Sequence, residues 1–199
     1  MSKKTILLHS CCGPCSTAVI EQLIGEYDIT ILYYNPNIFP EEEYSKRKSE
    51  QLKFLKKFND SHQNEQVKFI DHDYDSKSFY EKTKGLENER EGGARCAVCF
   101  RLRLFETAKL AKANDFEFFG TTLTVSPHKN AEIINNIGLS LEKDMNVKFL
   151  VSNFKKNNGY KRSVELAKEY ELYRQNYCGC EFALKIQQIE APESLKKSY

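Results

Sequence analysis

The chain has 199 residues and a nearly balanced charge, with 30 Lys and Arg against 28 Asp and Glu. This length suits one α/β domain, which we predict over residues 1–190, followed by a frayed tail over residues 191–199. A net charge of +2 excludes a strongly basic protein, so a nucleic-acid partner would have to bind a local patch. The sequence shows neither a signal peptide nor an apolar run of membrane-spanning length, and we expect a cytoplasmic protein without membrane contact.

Seven cysteines make an odd number for a disulfide framework, and in a reducing cytoplasm clustered cysteines more often bind metal or carry out redox chemistry. The first cluster is Cys11, Cys12 and Cys15. It follows a short apolar run over residues 5–8, predicted as a buried strand, and precedes helical spacing over residues 16–23. The thiols should therefore lie at the carboxyl end of the first strand, where open α/β sheets form ligand crevices.

Two local details of this segment can be predicted. Ser16 or Thr17 is available as the N-cap of the first helix. The adjacent side chains of Cys11 and Cys12 are expected to point in different directions, which disfavours a disulfide between them. The same two thiols could face one polynuclear cluster or two neighbouring metals.

The next segments alternate between strand and helix. Residues 27–34 form a predicted strand, because they are rich in β-branched and aromatic side chains. Pro40, followed by three glutamates, marks the start of a helix. We interpret this helix as an ordinary solvated amphipathic one, with lysines outward and three side chains toward the core: Leu52, Leu55 and Phe58. Residues 67–70 form a third predicted strand. The acidic loop after it favours N-cap roles over metal binding, although His72 or Asp73 could contribute to the crevice.

The second cysteine pair, Cys96 and Cys99, opens a predicted helix. Apolar residues recur from there at helical spacing: Phe100, Leu104, Ala108 and Ala111. The amide dipoles at the start of this helix are expected to favour thiolate over thiol. A C-x-x-C pair serves zinc, an iron–sulfur cluster or dithiol redox chemistry equally well.

The second half of the chain contains two predicted strands, over residues 115–119 and 147–151, and a predicted helix over residues 163–173. The first of these strands is followed by a hydroxyl-rich loop that could hydrogen-bond a polar ligand or form a simple turn. Residues 153–162 interleave aromatic and cationic side chains, a weak indication of RNA binding. The third cysteine pair, Cys178 and Cys180, is separated by one glycine. It could chelate a metal or form a strained disulfide, and strain favours a labile redox pair.

This alternation predicts a mostly parallel sheet flanked by helices, with the carboxyl ends of its strands along one edge. The three cysteine groups could meet there. Together they exceed the ligands of one four-thiolate centre, which implies a metal centre plus a second redox-active or metal-binding pair.

The sequence resembles the cobalamin-independent epoxyqueuosine reductases, the QueH family. The matching segments are LHSCCGPC, YNPNIFPEEEY, EGGARCAVCFRLRL, TTLTVSPHKN, NFKKNNGYKRS and LYRQNYCGC, which span residues 8–180. The resemblance implies a fold like that of the adenine-nucleotide α-hydrolases. It also implies an iron–sulfur oxidoreductase that removes the epoxide oxygen of epoxyqueuosine in tRNA, the last step of queuosine biosynthesis.

The resemblance also implies roles for individual residues. Four cysteines match the ligands of a 4Fe-4S cluster: Cys11, Cys12, Cys96 and Cys99. Cys178 and Cys180 match the redox-active pair. An additional mononuclear iron is expected beside the cluster, with Cys15 as a candidate ligand. Because the substrate base belongs to a tRNA anticodon loop, four residues are candidates for stacking and phosphate contacts: Tyr160, Lys161, Arg162 and Arg174. The electron donor is not identified by the sequence.

Two other functions compete with this one. The tRNA sulfur transferases of the related pyrophosphatase fold need a Ser-Gly-Gly-x-Asp-Ser type loop after the first strand. This chain has residues 10–16, SCCGPCS, at that place, and they lack the paired glycines and the acidic residue, which disfavours ATP cleavage. A zinc-stabilised RNA-binding module is the second alternative, and the identity of the metal separates it from a reductase because zinc cannot carry electrons.

Overall fold

The computed structural model describes residues 3–190, with side chains up to residue 185; the tail predicted to be frayed lies outside the described residues. Strands and helices alternate along residues 3–190. The strands are β1 (Lys4–His9), β2 (Tyr27–Tyr33), β3 (Lys68–Asp71), β4 (Phe118–Thr121) and β5 (Lys148–Phe149). The α-helices are α1 (Gly13–Leu23), α2 (Glu41–Ser61), α3 (Ser76–Thr83), α4 (Ala94–Ala113), α5 (Ala131–Met145), α6 (Gly159–Glu169) and α7 (Glu181–Glu190), and a 3-10 turn covers Thr122–Val125.

The strands form one parallel sheet in the order β3-β2-β1-β4-β5, which confirms the predicted architecture. β1 is central, and Leu8 pairs with Ile31 on one side and with Gly120 on the other. The chain fills one half of the sheet with β2 and β3 and then the other half with β4 and β5. The strand order therefore reverses between β1 and β4, and ligands of open parallel sheets bind at such a switch point.

The core has one apolar layer on each face of this sheet. Side chains of α1 and α2, such as Ile20 and Phe54, pack with Ile29 and Ile31 on one face. Leu104 and Ala108 of α4 pack with Phe119 and other residues of the opposite layer. All four apolar positions predicted for α4 are buried. Burial on both faces of β1 fixes the position of the loop that carries the first cysteines.

The first helix begins earlier than predicted. Cys12 occupies the N-cap without a side-chain cap, and Pro14 lies in the first turn of α1, where its fixed backbone angle favours a helix start. The hydroxyls of Ser16 and Thr17 donate to the carbonyls of Gly13 and Pro14 at 2.8 and 3.1 Å. The predicted N-cap at Ser16 or Thr17 is therefore wrong, because proline starts the helix before them.

Other boundaries also differ from the predictions. Leu52 of α2 is 42% exposed, whereas Leu55 and Phe58 are buried as predicted. β4 is displaced toward the C-terminus, and β5 is shorter than predicted. α6 begins at Gly159 after two asparagines in the left-handed region, and it ends at Glu169 rather than at residue 173. None of the helices within residues 3–190 has the length and apolar character needed to cross a membrane.

Candidate metal and thiol site

His9, the last residue of β1, anchors the start of the cysteine loop. Its ring is fully buried between Tyr34 and Thr121. The Thr121 hydroxyl accepts the backbone N–H of Leu123 at 3.1 Å, so its proton can go to His9 Nδ1 at 3.0 Å. Nε2 then donates to the carbonyl of Tyr34 at 3.1 Å. Burial, followed by the charge of Arg103, lowers the pKa of His9 to about 3, so the ring is neutral and joins three segments at the carboxyl edge of the sheet.

Gln51 of α2 forms hydrogen bonds to the serines on both sides of the cysteine loop. Ser10 Oγ donates to Gln51 Oε1 at 2.8 Å, and Gln51 Nε2 donates to Ser16 Oγ at 2.9 Å. Gly13 brings the start of α1 close to α2, since a Cβ at this position would lie 2.7 Å from the carbonyl oxygen of Glu50. These contacts fix the residues on both sides of Cys11 and Cys12.

The thiols of Cys11, Cys12 and Cys15 converge, with all three Sγ atoms within 4.8 Å of one another. Cys11 Sγ and Cys12 Sγ are 3.8 Å apart, so the prediction that these adjacent side chains diverge is wrong. Hydrogen bonds from Cys12 and Cys15 hold the pKa of Cys11 well below its usual range, while the bond to Cys11 raises the pKa of Cys12 to about 12. The three sulfurs thus favour a shared negative charge, as metal-binding thiolates do.

Cys96 and Cys99 lie near the start of α4, and the N–H of Gly92 donates to Cys96 Sγ at 3.2 Å. Burial raises the pKa of Cys96, and it raises that of Cys99 to about 12. The prediction that the helix start favours thiolates here is therefore wrong for the metal-free chain. Burial outweighs the hydrogen bond from Gly92 at Cys96 and the charge of Arg103 at Cys99. Among the described side chains, this pair is not part of the converging group of Cys11, Cys12 and Cys15.

The loop of Cys178 and Cys180 is held by Arg47, a nearly fully buried residue of α2. Arg47 Nη1 and Nη2 donate to the carbonyls of Cys178 and Tyr177 at 3.2 and 3.4 Å, and its Nε donates to Glu43 at 2.7 Å. Gly179 has φ 114°, and a Cβ there would lie 2.7 Å from Arg47 Nη1. Glycine is therefore required between the two cysteines.

The third cysteine pair meets both other groups. Cys178 lines a pocket of about 480 Å³ together with Cys11 and Cys15, and it lines a smaller hollow together with Cys96. Cys99, Cys178 and Cys180 share one small apolar cluster. All seven cysteines are free thiols, and the structure thus connects the groups that are remote in sequence.

Two cations lie beside these sulfurs, the buried Arg103 and the half-buried Lys129. Arg103 of α4 is 1% exposed, and its Nη2 has no hydrogen-bond partner among the described residues. Burial opposes its charge, yet Cys99, Cys178 and Cys11 raise the pKa of Arg103. The same sulfurs, Cys178 and Cys11, raise the pKa of Lys129 despite burial. Converging thiols beside two cations that form no ion pair with a carboxylate among the described residues suit a metal centre of negative charge, such as a thiolate-bound iron–sulfur cluster.

The predicted tRNA-binding residues lie at different places. Tyr160 and Arg174 both line the pocket, and the Arg174 guanidinium lies 5.5 Å from the centre of the Tyr160 ring. Arg162 makes two hydrogen bonds to Glu21, at 2.9 and 2.8 Å. Lys161 lies 4.0 Å from Glu165. Tyr160 and Arg174 are thus the two candidates that the pocket brings together.

The acidic loop after β3 lies apart from the pocket residues. Asp75 accepts the N–H of Ser78 and caps α3, as predicted. His72 Nε2 lies 3.4 Å from Glu106. Neither His72 nor Asp73 lines the pocket of Cys11, Cys15 and Cys178.

The sequence alone did not predict that five residues belong to the site: Arg47, Gln51, Arg103, Lys129 and Gln175. Gln175 donates from Nε2 to Cys12 Sγ at 3.1 Å, and it lines the pocket. Arg47 and Gln51 lie in a helix whose charges we interpreted as solvated, yet both side chains are buried. Their one sequence signal is a spacing of four, which places them on the same face of α2.

The family model for "Epoxyqueuosine reductase QueH" matches residues 6–186 of the chain. The chain belongs to this family. A QueH member from Streptococcus pyogenes is 46% identical over 94% of this chain and 73% of its own length. The member from Staphylococcus epidermidis is 46% identical over 93% of this chain and 78% of its own length. The member from Thermotoga maritima is 36% identical over 90% of this chain and 90% of its own length. All three relatives are named epoxyqueuosine reductase.

A solved structure supports the fold alone. A predicted subunit of tRNA methyltransferase from Methanocaldococcus jannaschii aligns with a TM-score of 0.50, over 84% of this chain and 75% of that chain, at 18% identity. The parallel sheet flanked by helices, with Cys11, Cys12 and Cys15 after the carboxyl end of β1, agrees with the architecture that was predicted.

Proposed function

We propose that this chain reduces the epoxide of epoxyqueuosine in tRNA to give queuosine, as a member of the QueH family. The observation that carries the proposal is one pocket lined by thiols from two remote segments, Cys11 and Cys15 on one side and Cys178 on the other. Removal of the epoxide oxygen consumes two electrons and two protons and releases water. Oxidation of two thiols to one disulfide supplies two electrons and two protons.

Cys178 and Cys180 are the pair to which we assign this oxidation. Cys178 faces the pocket, and Cys180 is buried behind it, where the N–H of Ala183 donates to its sulfur at 3.4 Å. Both thiols become one disulfide in the forward reaction, and an external electron donor of unidentified nature returns them to the reduced state. The left-handed backbone at Gly179 keeps the two cysteines on one tight loop.

The remaining cysteines are assigned to metal. We assign Cys11, Cys12, Cys96 and Cys99 to a 4Fe-4S cluster, and Cys15 to an additional mononuclear iron. When bound, the cluster would transfer single electrons, and the additional iron would act as a Lewis acid. The convergence of Cys11, Cys12 and Cys15 supports a metal centre at this loop, and the cations Arg103 and Lys129 lie beside it. Cys96 and Cys99 are connected to it through Cys178, which lines a hollow with Cys96 and packs in one cluster with Cys99.

The rim of the pocket is the proposed place of the tRNA base. Tyr160 is 38% exposed and stands beside Arg174, so an unstacked base can lie on an aromatic ring next to a cation. Lys161 and Arg162 follow Tyr160 in α6 and are assigned to the phosphates that flank the base.

The test begins with protein purified without oxygen. We expect iron and acid-labile sulfide sufficient for a cubane plus one further iron, a visible band that dithionite bleaches, and conversion of epoxyqueuosine tRNA to queuosine tRNA. Stoichiometric zinc without sulfide, persisting after anaerobic reconstitution, together with no conversion of this tRNA, would contradict the proposal and favour a structural metal in an RNA-binding protein.

A further inference from the structure

Arg103 is a buried cation without a carboxylate partner among the described residues. Its side chain is almost completely excluded from solvent. Its Nε donates to the carbonyl of Cys99 at 3.2 Å, its Nη2 has no partner, and its guanidinium lies 5.6 Å from the ring centre of Phe100. An isolated buried charge is costly unless an opposite charge lies close to it. The fold therefore implies an anion at this position.

The neighbours that can supply this anion are sulfur atoms. Cys99 and Cys96 precede Arg103 by roughly one and two turns of α4, on the same helix face. Cys178 packs against the cluster that contains Cys99, and it lines the same pocket as Cys11. His9, at the end of β1, carries no negative charge in either of its protonation forms, so it cannot be this anion. Arg103 thus lies one turn from Cys99, whose side chain packs in one cluster with Cys178 and Cys180.

We propose that Arg103 is a positioning residue that supplies the fixed countercharge of the thiolate metal centre, stabilises its negatively charged form and raises its reduction potential. A reduced cluster carries one more negative charge than an oxidised one, so a fixed cation nearby favours reduction. The inference about potential rests on the proposed iron–sulfur function. The inference about countercharge applies to any metal that these thiolates bind.

The first measurement is the midpoint potential of the reconstituted cluster in the variants Arg103→Met and Arg103→Lys. Met removes the charge and retains an apolar chain of similar reach, so we expect a more negative midpoint potential. Lys restores the charge and should bring the potential back toward the wild-type value. Arg101→Met is the matched control, because Arg101 lies on the same helix but is exposed and 4.0 Å from Asp144; it should leave the potential unchanged. A wild-type potential in Arg103→Met with full iron and sulfide content would overturn the proposal.

The second measurement still tests the proposal if Arg103→Met binds no iron–sulfur cluster. Thermal unfolding is compared for the metal-free protein and for protein loaded with iron and sulfide or with Zn²⁺. We expect metal to raise the Tm of Arg103→Met less than that of the wild type, while the metal-free variant is at least as stable as the metal-free wild type. A residue with a purely structural role would lower both states equally, and that outcome would refute the countercharge.

The two measurements also separate this inference from the proposed function. A wild-type chain that takes up Zn²⁺ but never iron and sulfide contradicts the reductase, and the Tm comparison with Zn²⁺ still decides the role of Arg103. A wild-type chain whose Tm responds to neither metal contradicts both.

Discussion

Replacement of Gly179 by alanine tests whether Arg47 and the left-handed backbone hold the loop of Cys178 and Cys180. The backbone angle of Gly179, φ 114°, costs a residue with a Cβ about 1–3 kcal/mol. The new methyl group would also lie 2.7 Å from Arg47 Nη1, so the bond from Arg47 to the carbonyl of Cys178 must lengthen. Loss of a hydrogen bond from a charged donor costs about 1.5–3 kcal/mol. We expect Gly179→Ala to lower the free energy of unfolding by about 3–5 kcal/mol, a large part of an ordinary domain's stability.

The assay is urea unfolding of the metal-free protein, followed by turnover of epoxyqueuosine tRNA by the reconstituted variant. Turnover should fall at least tenfold, because the loop must shift and the two thiols with it. Gly25→Ala is the matched control, since a Cβ at Gly25 meets nothing within 4 Å and its φ is ordinary; it should stabilise the protein by about 0.4–1 kcal/mol. If Gly179→Ala unfolds within about 0.5 kcal/mol of the wild type and remains active, the loop is not held as we describe.

Three further variants test the other parts of the site. Cys178→Ser should abolish turnover and leave the visible band of the cluster; loss of the band would make Cys178 a metal ligand instead. The double variant Lys161→Glu and Arg162→Glu should weaken tRNA binding and flatten its salt dependence, while Lys143→Glu, exposed in the last turn of α5, should not; equal affinity for both variants would remove these cations from the interface. Gln51→Leu removes one hydrogen bond from each of the buried hydroxyls of Ser10 and Ser16. The free energy of unfolding should therefore fall by about 1–3 kcal/mol, and iron should dissociate faster during dialysis against a chelator. Wild-type stability together with wild-type iron retention would show that Gln51 does not stabilise the cysteine loop.

The position of the first cysteines could be predicted because two local patterns enclose them. An apolar run before them and helical spacing after them define a strand, a loop and a helix, and parallel sheets place such loops at their carboxyl edge. The same rule predicts that the loop after β4 lies at this edge. Which thiols converge could not be predicted, because the directions of Cys11 and Cys12 depend on how Pro14 starts the helix and on the contact of Gly13 with α2.

The supporting residues could not be predicted because their burial is a property of the whole fold. Arg47 and Gln51 occur among lysines and glutamates, and the sequence therefore indicates a solvated helix surface. The structure places a second element, the loop of Cys178, over this surface, and Arg47 becomes buried against its carbonyls. Buried polar side chains of such a helix form hydrogen bonds to the elements that cover it, and hydrophobic periodicity does not reveal them.

The pKa values of Cys96 and Cys99 also could not be predicted from the sequence, and they give a reason for the position of Arg103. From the sequence alone, the start of α4 should stabilise thiolates at Cys96 and Cys99, yet burial raises the pKa of both. Thiols must lose their protons to bind metal, so metal binding at this pair has to overcome the cost of burying negative charge. Arg103 lies one turn after Cys99 and donates to its carbonyl, where its charge can offset that cost. Under the proposed assignment of this pair to metal, the helix that carries Cys96 and Cys99 thus also carries a cation that offsets part of the cost of their deprotonation.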